Sequence, residues 1–370
     1  MFLFGPRGTG KSTWIGQRFP EARTYDLLDL ETFARLQRNP STLFHDTSTL
    51  PEGSWVVIDE VQKIPPLLDE VHRLIENKKL KFVLSGSSAR KLRRGGVNLL
   101  AGRALVEHMY PLTSAEVDFG LDLPGVLSTG MLPRAYTGPD TAQFLTSYAV
   151  TYLQEEIRAE ALTRNIGHFS RFLEIAARQN GQVTSISSIS RDAQVSRATA
   201  QGYFDILVDT LIGFWLHPWK LKTSNREIGH PKFFFFDTGV ARALSGRIPY
   251  PPTAEELGPL LETFILGELR AFVSYRRLHY PLYFWRTQDG VEVDVLFETR
   301  DGFLAVEIKS GTRWDPRFNR GLKRLSELMS PKKVTCLGVY LWNTETVVDG
   351  VRVLPVLQFL KELWGGELVK

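Results

Sequence analysis

The stretch "FGPRGTGKST", Phe4–Thr13, decides how the first third of the chain is read. From Gly5 to Ser12 it fits G-x-x-x-x-G-K-S. An apolar run, "MFLF", leads into it as a buried strand, and a helix can follow. Gly5, Gly8 and Gly10 let the backbone turn its N–H groups inward around phosphates, and Pro6, Arg7, Thr9 and Thr13 complete the lining. Lys11 is placed to reach the terminal phosphates, the Ser12 hydroxyl to ligate magnesium, and the helix adds its positive N-terminal end. The alternative is a chance match in a glycine-rich turn. The strand before and the helix after argue against it.

Working outward, "SWVVIDEVQ" is the expected companion: an apolar strand ending in Asp59 and Glu60. Asp59 would hold Mg²⁺, and Glu60 would orient and polarise an attacking water. "KFVLSGSS" offers Ser85, or Ser87, as a polar group at the next strand end, where a turn-forming serine is the plain alternative. "LLDEVHRLIE" reads as a helix between these two strands. Short apolar runs alternating with amphipathic stretches predict an α/β domain over residues 1–138.

Residues 139–248 change character. "FSRFLEIAARQ" has helical period, and "ISSISRDAQVSRATAQGYFDILVDTLIGFWLHPW" reads as helix, turn, helix, strand. With "KFFFFD" as the returning strand, this resembles a winged helix-turn-helix, whose second helix enters a major groove. Arg197, Thr199 and Gln201 would then face DNA. A helical module that binds protein fits the same pattern.

Proline and glycine punctuate residues 246–259, a linker reading. Beyond it, "VEVDVLFETRDGFLAVEIKSG", Val291–Gly311, predicts two strands joined at "DG". Strict alternation puts Val291, Val293, Val295 and Phe297 on one face, and Glu307 and Lys309 together on another strand's face. A two-residue loop sets Asp294 opposite Lys309, and a four-residue loop sets it opposite Glu307. Either register gathers Asp294, Glu307 and Lys309. Two carboxylates, the Ile308 carbonyl and a lysine at this spacing suit a magnesium-dependent phosphodiester cutter. They equally suit a cross-strand ion-pair network. "DPRFNRGLKRLSELM" predicts a helix with Asp315 at its N-cap, Pro316 at N1 and a buried stripe of Phe318, Leu322, Leu325 and Met329. Arg317, Arg320 and Arg324 form an adjacent stripe that suits phosphate or simply solvent. "SSARKLRR" is a second basic cluster.

"GPRGTGKST", "VVIDEVQKIP", "FVLSGSSARKL" and "LLAGRA", together with "KFFFFDTGVARAL" and "FWRTQDGVEVDVLF…AVEIKSG", give the chain a resemblance to a family. It resembles the bacterial and archaeal AAA-type ATPases that carry a C-terminal PD-(D/E)XK nuclease-like domain. The resemblance runs over nearly the whole chain. It implies three parts: an AAA-type domain at 1–138, a winged-helix-like region at 139–248 and a restriction-endonuclease-like α/β domain at 249–370. It implies ATP as the nucleotide, with Mg²⁺, and subunits that share nucleotide sites in a homo-oligomer or ring. Arg103 in "LLAGRA" is then a candidate trans-acting arginine. Glu262 in "GPLLETFILGEL" matches the helical glutamate that completes the nuclease metal site with Asp294 and Glu307. DNA is the leading partner reading, from the basic helix and the helix-turn-helix pattern; a nucleotide switch that binds protein is the alternative, and metal-dependent cutting stays open between them.

The bulk properties agree. The chain has 370 residues, a formal net charge of +4 and an ordinary apolar fraction, so several folded domains are affordable. The charge is compatible with nucleic acid but does not demand it. A single cysteine, Cys336, excludes an internal disulfide and a cysteine zinc site, and suits a reducing cytoplasm. No run approaches the ~18 apolar residues of a membrane span.

Overall fold

The computed structural model describes residues 1–88, 104–152, 166–220 and 229–369. They pack as two compact units, Met1–Pro111 with Asp209–Ile212, and Leu112–Val208 with Gly213–Lys370.

The first unit is a parallel sheet with helices around it. Its strands are β1 (Phe2–Phe4), β2 (Arg23–Asp26), β3 (Trp55–Asp59), β4 (Lys81–Gly86) and β5 (Val106–His108), in the order β2-β3-β4-β1-β5. Every pairing is parallel. Strands covered on both faces read as unbroken apolar runs, as "FLF" and "VVI" do. The helices are α1 (Lys11–Arg18), α2 (Leu30–Arg38), α3 (Thr42–Asp46) and α4 (Leu67–Lys78). Helix α4 buries Leu67, Leu68, Val71 and Leu74, the spacing of one helical face. Because β1 lies between β4 and β5, the loop after it opens at the carboxyl ends of the sheet, beside the end of β4.

The second unit begins with α5 (Leu123–Thr129), α6 (Pro133–Thr137), α7 (Thr141–Ser147), α8 (Ile166–Arg178), α9 (Ile186–Asp192) and α10 (Arg197–Asp209). Then come β6 (Gly213–Pro218), β7 (Lys232–Phe235), α11 (Thr238–Leu244), the long α12 (Ala254–Tyr275) and β8 (Tyr283–Arg286). The remainder is β9 (Glu292–Thr299), β10 (Gly302–Lys309), α13 (Asn319–Met329), β11 (Val334–Tyr340), β12 (Thr346–Val348), β13 (Val351–Pro355) and α14 (Val356–Gly365). One eight-stranded sheet, β12-β13-β11-β10-β9-β8-β6-β7, runs through the unit.

That sheet changes the expected partition. The β6–β7 hairpin forms as predicted, but β6 also pairs with β8 through His217 and Pro218. Residue 248 therefore separates no compact units. Residue 138 does not either, because Val126, Leu127 and Met131 share a core with Leu261, Phe264 and Ile265 of α12. Asp237 fastens this junction: it caps α11 by accepting from Val240 N at 3.0 Å and also accepts from Met131 N at 2.7 Å. Gly239 is required nearby, since a Cβ there would collide with the Thr129 carbonyl.

Helices α8 and α10 meet over an aromatic cluster, with Phe172 edge-on to Phe204 at 4.9 Å and Phe204 against Phe233 at 4.7 Å. Helix α13 buries Leu322, Leu325 and Met329 against Trp285, Val293 and Leu296.

Strict alternation fails in β9. The β8–β9 ladder shifts register between Tyr283 and Trp285. As a result Val291 and Val293 pack with Leu296 under α13, while Val295 and Phe297 enter the core beneath α12. Bulges of this kind re-aim side chains. The turn also differs from expectation. Thr299 pairs with Gly302, so Arg300-Asp301 is the two-residue loop and Asp294 falls across from Glu307 by count. Gly302, with φ 135°, takes the pairing position where an L side chain is strained.

Candidate functional site

The first site lies where β1, β3 and β4 end. Gly8 and Gly10 have φ of 78° and 91°, the left-handed backbone the loop needs. Gly5 is also constrained, because a Cβ would stand 2.5 Å from the Met109 carbonyl oxygen. Thr9 closes the loop on itself through Pro6 O at 2.8 Å. Lys11 is 6 % exposed, and its ammonium donates to the carbonyls of Gly5 and Pro6 at 2.8 and 3.0 Å. Ser12 follows in the first turn of α1, and its hydroxyl donates to Asp59 at 2.7 Å. Ser85, at the end of β4, donates to the other Asp59 oxygen. The pair Ser12 and Asp59 is an oxygen donor set that suits Mg²⁺.

Glu60 is buried and left-handed, with φ 59°. That geometry costs a non-glycine residue about 1–2 kcal/mol and is characteristic of functional positions. Its carboxylate accepts from the Gln62 amide, which also donates to Ser87 at 3.3 Å. Sequence reasoning missed Gln62. Its one signal was the polar residue two places after Asp-Glu, in the 3₁₀ turn Val61–Lys63. Arg103 and most of the "SSARKLRR" cluster lie outside the described residues.

The second site is a cleft of about 680 Å³ in the second unit. Asp294, Glu307, Lys309 and Glu262 all line it, as do Arg317 and Arg320. Lys309 Nζ lies 2.5 Å from Glu307, 3.5 Å from Asp294 and 3.0 Å from the Ile308 carbonyl. Asp294 also accepts from Ile308 N at 2.7 Å. Three contributors were not foreseen: Lys232, Glu292 and Arg286. Lys232 Nζ lies 2.5 Å from Glu292 and 3.2 Å from Glu262, and Arg286 reaches Glu292 at 3.2 Å. Lys232 opens "KFFFFD" and Glu292 stands two residues before Asp294, so each looked like an ordinary strand residue.

The electrostatics follow from burial and pairing. Burial pushes the Glu262 carboxyl up to about 7, against the pull of Lys232 and with help from Asp294 and Glu292. Burial and the neighbouring Asp294 charge hold Glu307 well above the usual carboxylate range, although Lys309 opposes this. Burial acts to lower the Lys232 ammonium, but Glu262, Asp294 and Glu292 together hold it above the ordinary lysine value.

The donor set was tested against a metal. Glu307 Oε2 is buried without a hydrogen-bond partner, which would suit a cation. Yet Glu262 and Glu292 already share Lys232, and Asp294, Glu307 and the Ile308 carbonyl share Lys309. As they stand, with both ammoniums among them, no three Asp, Glu, His or Cys side chains of the described residues gather closely enough to hold a metal ion. The arrangement does not fit the expected Mg²⁺ set of Glu262, Asp294 and Glu307.

The remaining expected contacts are scattered. Asp315 caps a 3₁₀ turn, Pro316–Phe318, rather than the α-helix itself, and Phe318 is only half-buried. Arg317 pairs with Asp315 at 2.6 Å, while Arg320 and Arg324 approach Asp289 at 3.9 and 2.7 Å. Arg197 is exposed at the start of α10, and Gln201 bonds Asp205 at 2.9 Å.

Residues 1–117 match the family described as AAA domain. With the loop geometry above, the N-terminal unit carries an AAA-like P-loop domain. Residues 121–249 and 257–359 match two domains of unknown function, DUF8612 and DUF4143. Uncharacterized proteins of Mycobacterium tuberculosis and Mycobacterium bovis are each 28 % identical over 334 residues, 87 % of this chain and 72 % of theirs. Among solved structures, the Aeropyrum pernix Orc1 protein in complex with DNA is 15 % identical and covers 66 % of this chain and 86 % of its own, with a TM-score of 0.27. The Bacillus subtilis DNA clamp loader delta protein is 13 % identical and covers 55 % and 82 %, with a TM-score of 0.24. No helix among the described residues is long and apolar enough to cross a membrane.

Proposed function

We propose that this chain is an ATP-hydrolysing protein that holds nucleic acid. The observation that carries the ATPase part is the grouping of Lys11, Ser12, Asp59 and Glu60 at adjoining strand ends. Lys11 binds the terminal phosphates. Ser12 and Asp59 would hold Mg²⁺, whose charge would be supplied beside those phosphates when it is bound. Glu60 orients the attacking water, and Gln62 fixes the Glu60 carboxylate. Ser85 braces Asp59. In an oligomer, including a ring, Arg103 of a neighbouring copy completes the site.

The second unit supplies the nucleic-acid contact in this reading. Lys309, Arg317 and Arg320 line the cleft, and Phe318 lies beneath the Lys309 ammonium at 5.6 Å, giving phosphate contacts beside an aromatic ring. Helix α10, with Arg197 exposed at its start, supplies a second contact in the manner of a helix-turn-helix. The fold of this unit is read as nuclease-like, with its cleft holding a strand.

One observation favours a second reading, a nucleotide switch that binds protein. The arginines around α13 already have acidic partners in Asp289 and Asp315. ATP turnover with and without single-stranded, duplex and branched DNA separates the two. Stimulation by DNA supports the first, and a rate indifferent to all three supports the second.

A further inference from the structure

Lys232 comes from the start of β7, far in sequence from the "VEVD" and "VEIK" strands whose cleft it enters. It is 4 % exposed. Its ammonium touches Glu292 and Glu262, and the Phe284 ring lies 5.4 Å away. An isolated buried ammonium is very costly, as is a cluster of buried carboxylates. Here each relieves the other. The carboxylates Glu262, Glu292, Asp294 and Glu307 face the cations Lys232, Lys309 and Arg286, so nearly all of the negative charge is answered by side chains.

We infer that Lys232 is the built-in cation of this cleft, taking the room and the charge that a divalent ion would otherwise take, and so closing the carboxylate cluster to metal. A Mg²⁺ or Mn²⁺ ion bound by Glu262 must either displace the ammonium or stand beside it. Displacement strands a buried charge on a side chain with little room to leave. Proximity sets two positive charges against each other in a medium that screens poorly. The inference concerns the metal alone and does not depend on nucleic-acid binding.

The test is Mn²⁺ binding to the full chain without nucleotide, read from the free-Mn²⁺ EPR signal. The P-loop is the same in every variant, so its contribution cancels. Wild type should take up no ion in the cleft at millimolar Mn²⁺. Lys232→Met keeps all but one atom of the length and removes the charge, and should take up one additional ion per chain. Adding Asp294→Asn should abolish that ion, and Lys232→Arg should refuse it as wild type does. Lys232→Met leaves Glu262 without its ammonium and Glu292 with Arg286 alone, and can unfold the unit. The paired variant Lys232→Met/Glu292→Gln removes one charge of each sign and keeps Glu262, Asp294 and Glu307. It too should bind one additional Mn²⁺. The inference is overturned if wild type and the paired variant bind Mn²⁺ equally, or if the folded paired variant binds none beyond wild type.

Discussion

Ser12 and Asp59 hold each other across the end of the first sheet, hydroxyl to carboxylate at 2.7 Å. The contact joins the helix after the phosphate loop to the strand that carries the acidic pair. Lys11, one residue earlier, points back at the loop carbonyls. Lys11→Ala should lower ATP turnover at least about 100-fold, the scale of losing one charge-stabilising donor. Phosphate release at saturating ATP measures it, and a smaller loss would mean another cation serves the terminal phosphates.

Glu60 and Gln62 should separate binding from turnover. Glu60→Gln should keep ATP affinity and lose hydrolysis, because it removes the carboxylate and spares Asp59. Gln62→Leu should reduce kcat by roughly 10-fold or more, as expected for losing a hydrogen bond to a charged group. Nucleotide affinity by equilibrium titration should be unchanged in both. A Gln62→Leu enzyme with wild-type kcat would leave Gln62 without a role at Glu60.

The cleft should hold a proton near neutral pH. Burial lifts Glu262 from the ordinary 4.5 to about 7. A raised acid contributes stability that is fully present below the ordinary value and is lost as pH rises through the folded value. The thermal midpoint should therefore fall between about pH 4.5 and 7 by more in wild type than in Glu262→Gln, which cannot ionise. Parallel curves for the two proteins would contradict this.

Arg317 and Arg320 line the cleft but carry acidic partners, so their contribution to DNA binding should be partial. Replacing both by alanine should weaken duplex binding similarly across sequences. It should also flatten the slope of log K against log salt by roughly 1–2 units. An unchanged slope would make this surface a solvated face and shift weight to the protein-binding reading.

What the sequence disclosed and what it withheld differ in kind. Contiguous signals were legible. The loop Gly5–Ser12 and the Asp59-Glu60 strand end each lie within a few residues, and local spacing determined their geometry, while "DG" marked a turn but not its register. Asp294, Glu307 and Lys309 also line one cleft, together with Glu262 from α12, to which only the family resemblance pointed. Two things were illegible. Lys232 enters the cleft only because β6 pairs with β8, a long-range pairing with no local mark. The shift in β9 was hidden too, since valine suits both sides of a sheet and the run 291–297 shows no break.

The pairing of β6 with β8 bears on how this chain can be divided. The two regions of unknown function match as separate stretches, ending at 249 and starting at 257, and would pass for interchangeable cassettes. They are not severable. A fragment beginning at 250 would bare the flank of Tyr283–Arg286, an unpaired strand edge that invites self-association. It would also leave Glu262 and Glu292 without the ammonium they share. An exchange of one half between relatives must therefore bring its own lysine.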